Sequence, residues 1–293
     1  MYAIAENRTE IIKALLKADA NVNEKNDSGG TALSWAAARG RLDTVRLLLD
    51  RGADAEAINE AFVSAAGHPH RDVMRALLDK GANLNEVGSK ALLEAAGSTV
   101  AGVADQDRSD AVTFLLGLGV DVNAKDKEGW TALLLAADQE DRLSVVRMLL
   151  DRGADVNAKC DCPGYASGGW TALMIASREG RGEIVRLLVA KHADVNLKNN
   201  LGRTALALAA MHGAADVVRK LLDAGANVNA PDIERRTPLM EAASEGNVGV
   251  VHLLLERGAR PGDKDAQGKT AMQLADTEAR GQIVRLLSEA GSK

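Results

Sequence analysis

A fixed period limits what this chain can fold into. Thr171, Thr204, Thr237 and Thr270 lie 33 residues apart, and each opens on Thr-Ala-Leu, Thr-Pro-Leu or Thr-Ala-Met. A repeat of that length is one supersecondary unit that cannot bury its apolar face alone, so its copies must stack into a solenoid. Only 2% of the chain is aromatic although 46% is hydrophobic. Ala, Leu and Val must therefore build the core, which suits closely stacked helices buried by their neighbours.

The stretch Asn196 to Asn229 shows how one unit works. The Thr204 hydroxyl can cap the free amides of a first helix through Leu206, Ala209 and Ala210. Thr237-Pro238 is the same start with proline at the first helical position. Gly213 breaks the helix, and a second follows with Val217, Val218, Leu221 and Leu222 on one buried stripe. Gly225 ends it in the left-handed conformation. Ala226 to Arg236 has no helical stripe and reads as an extended segment, a turn and a return.

The pattern G-x-T-[PA]-L-x-x-A-A, an interhelical Gly, V-V-x-x-L-L and G-A-[DN]-V-N resembles the ankyrin repeat. The resemblance implies an all-α ankyrin-repeat solenoid of helix-turn-helix units with projecting β-hairpin fingers. It implies a curved stack, concave towards the fingers and first helices. Nine units are expected, with bounds at 1–26, 27–56, 57–85, 86–123, 124–157, 158–196, 197–229, 230–262 and 263–293.

Departures from the period locate the irregularities. The residues equivalent to Asn227 are Asn21, Asp54, Asn83, Asp121, Asp155, Asp194 and Arg260, with steps of 33, 29, 38, 34, 39, 33 and 33. The first unit is truncated, which points to a missing upstream segment. Units three and four are degenerate: Glu60 and Lys90 replace Thr, the connections are short, and the fingers are expected to be lost. Unit four gains a small, polar, flexible loop around Gly97 to Asp110, and unit six a loop insertion within Lys159 to Gly169. Gln273, Asp276, Glu278 and Arg280 make the last unit a polar cap. Arg235 stands where other turns hold Gly, so that turn is expected to change shape. His192 stands where six sister units have Gly, and Asp19 does so in the first; both read as helix terminators at positive φ. The family often carries His after the Leu of its T-P-L-H signature; here that position holds Ser34, Leu134, Met174, Ala207, Met240 and Gln273, so polar cross-linking between units is expected to be weak.

Little sequence is left for chemistry. Cys160 and Cys162 are two soft ligands where zinc needs four, so no metal is assigned and the pair stays a weak candidate. His68 and His70 flank a proline on a bend and read as turn residues. G-x-x-x-x-G-K-[ST], G-x-S-x-G and H-E-x-x-H are absent, so no catalytic residue and no cofactor is assigned. The net charge of −5 carries no basic run, which gives no reason to expect nucleic acid. No apolar run of membrane-spanning length and no signal peptide stands in this chain, so a monomer in a soluble, cytoplasmic setting is expected.

The expected function is non-catalytic recognition of another protein in the groove of fingers and inner helices. An alternative is a regulatory or targeting segment of a larger enzyme. The residue before Thr varies between units, as a solvent-facing position does, and here it holds Trp130, Trp170, Arg203 and Arg236. Trp and Arg are enriched in interface hot spots. The residues before the interhelical Gly join them: Asp138, Gln139, Arg178, Glu179, Met211, His212, Ser244 and Glu245. The buried stripe carries its own test: Leu221→Ala should cost about 2 to 5 kcal/mol in a denaturation curve. Lys220→Ala, off the stripe, should cost little; equal losses would mean that the stripe is misassigned.

Overall fold

The computed structural model describes residues 2–161, 168–275 and 280–291, and the chain divides into two compact units. The first holds residues 1–126 and 147–153, the second 127–146 and 154–293. In the first, short helices alternate in pairs: α1 (Tyr2–Ala5) and α2 (Thr9–Lys17), α3 (Ala32–Ala38) and α4 (Leu42–Asp50), α5 (Ala55–Gly67) and α6 (Arg71–Asp79), α7 (Leu84–Gly97) and α8 (Asp105–Gly117). The second opens with α9 (Ala132–Asp138); the residues of α10 (Leu143–Asp151) are shared between the two. It continues with α11 (Ala172–Arg178), α12 (Gly182–Ala190), α13 (Ala205–Met211), α14 (Ala215–Asp223), α15 (Pro238–Ser244), α16 (Val248–Glu256), α17 (Ala271–Leu274) and α18 (Arg280–Gly291). Among the described residues no helix is long and apolar enough to cross a membrane.

Each regular unit starts as the sequence dictates. The hydroxyls of Thr31, Thr131, Thr171, Thr204 and Thr237 accept from the amide three residues on, and such a cap is worth about 1 kcal/mol. Ser34 and Gln273 return the bond to the amides of Thr31 and Thr270, so two residues at the family's His position serve their own helix start. Ala205, Ala207, Ala209 and Ala210 are buried on α13, and Val217, Val218 and Leu221 on α14. Gln273 and Arg280 are exposed at the C-terminal end; Asp276 and Glu278 lie outside the described residues.

The short connections become helix. α5 and α7 run 13 and 14 residues where regular first helices run 7, because Asp54 and Asn83 cap them immediately after the preceding turn. The loop expected from Gly97 to Asp110 is also shorter than that: α8 already begins at Asp105. It is anchored too, since Arg108, fully buried, donates from Nη2 to the Val100 carbonyl at 2.7 Å.

The turn at Arg235 does not change shape. Arg235 adopts φ 61°, beside 75° at Gly202 and 79° at Gly268, and its amide bonds the Asp232 carbonyl as Gly202 bonds Asn199. The Asp232 carboxylate accepts from the Glu234 and Arg236 amides, a turn clamp repeated by Asn26, Asn199 and Asp265. Such a side-chain clamp holds the turn through the conformation that a non-glycine residue resists. His192 and Asp19 end their helices at φ 62° and 58°, as read from the sequence.

Polar cross-links between neighbours are plentiful, contrary to expectation, and a recurring set is made by asparagine. Asn196 donates to the Gly225 carbonyl and accepts from the Asn227 amide; Asn229 treats Gly258 and Arg260 alike, and Asn23 treats Gly52 and Asp54 alike. A second link runs from the start of the outer helices. Asn247 Nδ2 donates to the carbonyls of Ala210 and Met211, and His70 Nε2 lies 3.2 Å from the Ala38 carbonyl.

His70 packs so closely on Gly40 that a Cβ there would lie 2.7 Å from the ring. Burial pushes its pKa below the ordinary 6.5, against the Ala38 carbonyl; His68, Asp72 and Arg41 are the ionisable neighbours. The neutral ring is thus the folded form. Its contribution is complete above pH 6.5 and is lost as pH falls through the lowered value. Melting temperature should therefore drop as pH falls below 6.5 in the parent, and His70→Asn, which installs the Asn247 arrangement, should flatten that drop. An unchanged slope would separate His70 from the transition.

Candidate functional site

All the surface residues picked out by the sequence lie in the second unit. Their frame is a row of fingers joined by backbone hydrogen bonds. The Asp161 amide donates to the Glu128 carbonyl at 3.0 Å, Asn200 to Gly168 at 2.9 Å, Ile233 to Leu201 at 3.0 Å, and Ala266 to Glu234 at 2.8 Å. Gly202 allows that approach, because a Cβ on it would stand 2.8 Å from the Ile233 nitrogen. The fingers are turns rather than strands; Cys160 and Trp170 form one isolated antiparallel bridge.

The position before the capping Thr is not uniformly exposed. Trp130, Arg203 and Arg236 are half-buried and Lys269 is exposed, but Trp170 is 4% exposed. This corrects the expectation that both indoles stand in solvent. The Trp170 amide and carbonyl bond the Cys160 backbone, which fixes this residue at the base of its finger and turns the side chain into packing. The remaining expected residues are at the surface: Asp138, Gln139, Arg178, Glu179, Met211 and Ser244 are half-buried, and His212 and Glu245 exposed. Asp138 accepts from Gln139 at 3.2 Å, Arg178 pairs with Glu179 at 3.2 Å, and His212 Nδ1 lies 3.0 Å from the Leu208 carbonyl.

Arg203 and Arg236 are brought together by a residue that the sequence reading missed. Glu241 on α15, 2% exposed, reaches Arg236 Nη2 at 2.9 Å and Arg203 Nη2 at 3.4 Å, while Arg203 Nε lies 3.5 Å from Asp232. Burial raises the Glu241 pKa against the pull of both arginines. A buried carboxylate is tolerated when cations close on it, and here it ties two neighbouring fingers. The signal was present: in the column four residues after Thr, Glu241 stands among Trp35, Leu135, Ile175, Leu208 and Leu274.

The first unit has a surface aromatic of its own. Trp35 packs over Gly30, where a Cβ would meet the indole nitrogen at 2.8 Å, and Arg39 lies 4.7 Å over its ring. Beside it, a shallow cavity of about 350 Å³ is lined by Ser28 and Gly30 of one finger and by Glu60, Lys90 and Glu94 of the two long helices.

Among the described residues no three His, Cys, Asp or Glu side chains gather as ligands for a metal ion. Cys160 is buried and is not a free thiol; Cys162 lies outside the described residues.

Family models described as ankyrin repeats (3 copies) match residues 1–59, 102–199 and 159–232, and one described as ankyrin repeats (many copies) matches 221–275. The stretch 60–101 between them carries most of α5, α6 and α7, where the fingers are replaced by helix. Among curated proteins, the potassium channel AKT2/3 of Arabidopsis thaliana is 42% identical over 57 residues, which is 20% of this chain and 7% of that protein.

The two tryptophans now separate. Trp170→Ala should cost about 3 to 5 kcal/mol, as removal of a buried Trp does. Trp130→Ala should stay within about 1 kcal/mol. Thermal melts of the two single variants check this, and equal melting temperatures would count against the burial of Trp170.

Proposed function

The chain belongs to the ankyrin-repeat family, whose units generally mediate protein–protein interaction, and from that premise we propose that it is a non-catalytic recognition module. Its partner is another protein, lying along the fingers and the exposed ends of the first helices in the second unit. The observation that carries this is the row of bonded fingers from Glu128 to Ala266. The turns at Gly129, Gly202, Arg235 and Gly268 share a left-handed backbone yet present side chains that vary along the row: Trp130, Arg203, Arg236 and Lys269. A fixed frame with variable side chains holds a recognition surface in register at little ordering cost. Trp130, Arg178, Arg203, Met211, His212 and Arg236 are its contact groups, and Glu241 and Trp170 support them from beneath. A second reading, a targeting segment within a longer protein, draws on the short stretch shared with a potassium channel.

The test compares two faces of the second unit. Partner affinity should fall about thirtyfold or more when Trp130 and His212 are changed to Ala, if they are hot spots. Changing Glu183 and Arg219, exposed on outer helices, should leave affinity unaltered. The reverse result would place recognition on the outer helices.

A further inference from the structure

We infer that the segment read by the last three fingers is an extended acidic stretch of protein, with carboxylates about three residues apart. Resting on the recognition reading above, the inference specifies the partner's chemistry. Arg203, Arg236 and Lys269 stand at one repeat position in three successive fingers, separated by 33 residues each time. Neighbouring stacked helices are about 10 Å apart, and so are the fingers that they carry. An extended chain in the polyproline-II conformation advances about 3.1 Å per residue with about three residues per turn, so every third side chain lies on one face and meets the next finger.

The charges on these fingers are layered, although the whole chain is acidic at −5. Asp232 and Asp265 are buried and use their carboxylates to close turns; Glu234 is exposed. Arg235, in its left-handed turn, and Lys269 are exposed, and Arg203 and Arg236 reach the surface from either side of the buried Glu241. The carboxylates of Asp232, Asp265 and Glu241 thus lie beneath the cations, while Glu234 stays at the surface beside Arg235. Glu241 holds two guanidinium groups in place before any partner arrives, which lowers the ordering cost of a planar, two-point contact with a carboxylate. Glu245, at the far end of α15, is an exposed carboxylate that would disfavour an acid placed there.

The experiment is a fluorescence anisotropy titration of the full chain with a labelled peptide of about twelve residues, Glu at every third position and Gly or Ser between. Two control peptides accompany it, one with Gln for Glu and one with the same Glu residues in a block. The spaced acidic peptide should bind about tenfold more tightly than the Gln peptide and severalfold more tightly than the block, and should weaken as salt rises from about 0.1 M to 1 M. Lys269→Glu, which leaves the Glu241 pairs intact, should weaken it about fivefold or more with an unchanged melting curve. Equal binding of the Gln or block peptide, indifference to Lys269→Glu, or tighter binding of a single-stranded oligonucleotide would overturn the inference. If it fails while Trp130 and His212 still control partner affinity, the face stands and the acidic chemistry is wrong. If those residues are silent as well, the recognition reading falls with it.

Discussion

A two-helix unit of this length has one apolar stripe and nothing of its own to cover it. Every other feature follows from the need for a neighbour. It explains why alanine fills the first helices, where backbones approach closely, and why Leu221, Leu254 and Leu188 are sealed at one equivalent position. It also explains how so few aromatic side chains suffice: contact area comes from repetition rather than from a large centre. The polar links obey the same rule, since Asn196 and Asn229 each bond the turn of the unit that follows.

Because contacts are local and periodic, much of the architecture could be read directly. The capping threonines, the stripe of Val217, Val218 and Leu221 on α14, and the left-handed ends at Asp19 and His192 depend on residues within one unit, and the structure places them as read, while Leu222, expected on the same stripe, is half-buried. What could not be read depends on neighbours. Trp170 looked like a surface residue because Arg and Lys serve at its position elsewhere, yet pairing with Cys160 across the finger base buries it. Arg235 looked like a break in the turn pattern, but the Asp232 clamp imposes the geometry regardless.

The candidate site was legible as a set of positions and not as a network. A period identifies which residues share a column, and so Arg203 and Arg236 stood out. It does not show that a third residue, in another column, lies between them. Glu241 broke an apolar column, and a buried carboxylate requires a cation within reach. Two arginines supply it. Departures from a column therefore carry as much information as the column itself, provided that their chemical demands are followed to a partner.

Asp54 and Asn83 show how such an array can change without coming apart. In regular units the equivalent side chains of Asp194 and Asn227 accept from the amide two residues ahead and bend the chain into a turn. Asp54 and Asn83 make nearly the same bond, to amides three and two residues ahead, and it starts a helix. The bond that opens a finger is also the bond that opens a helix, so deleting a few residues beyond it exchanges one for the other while the local donors stay satisfied. Length variation between units thus has a built-in site of tolerance: a unit can surrender its protruding surface and remain a spacer, and the row of projecting turns can be shortened or moved along the array one unit at a time.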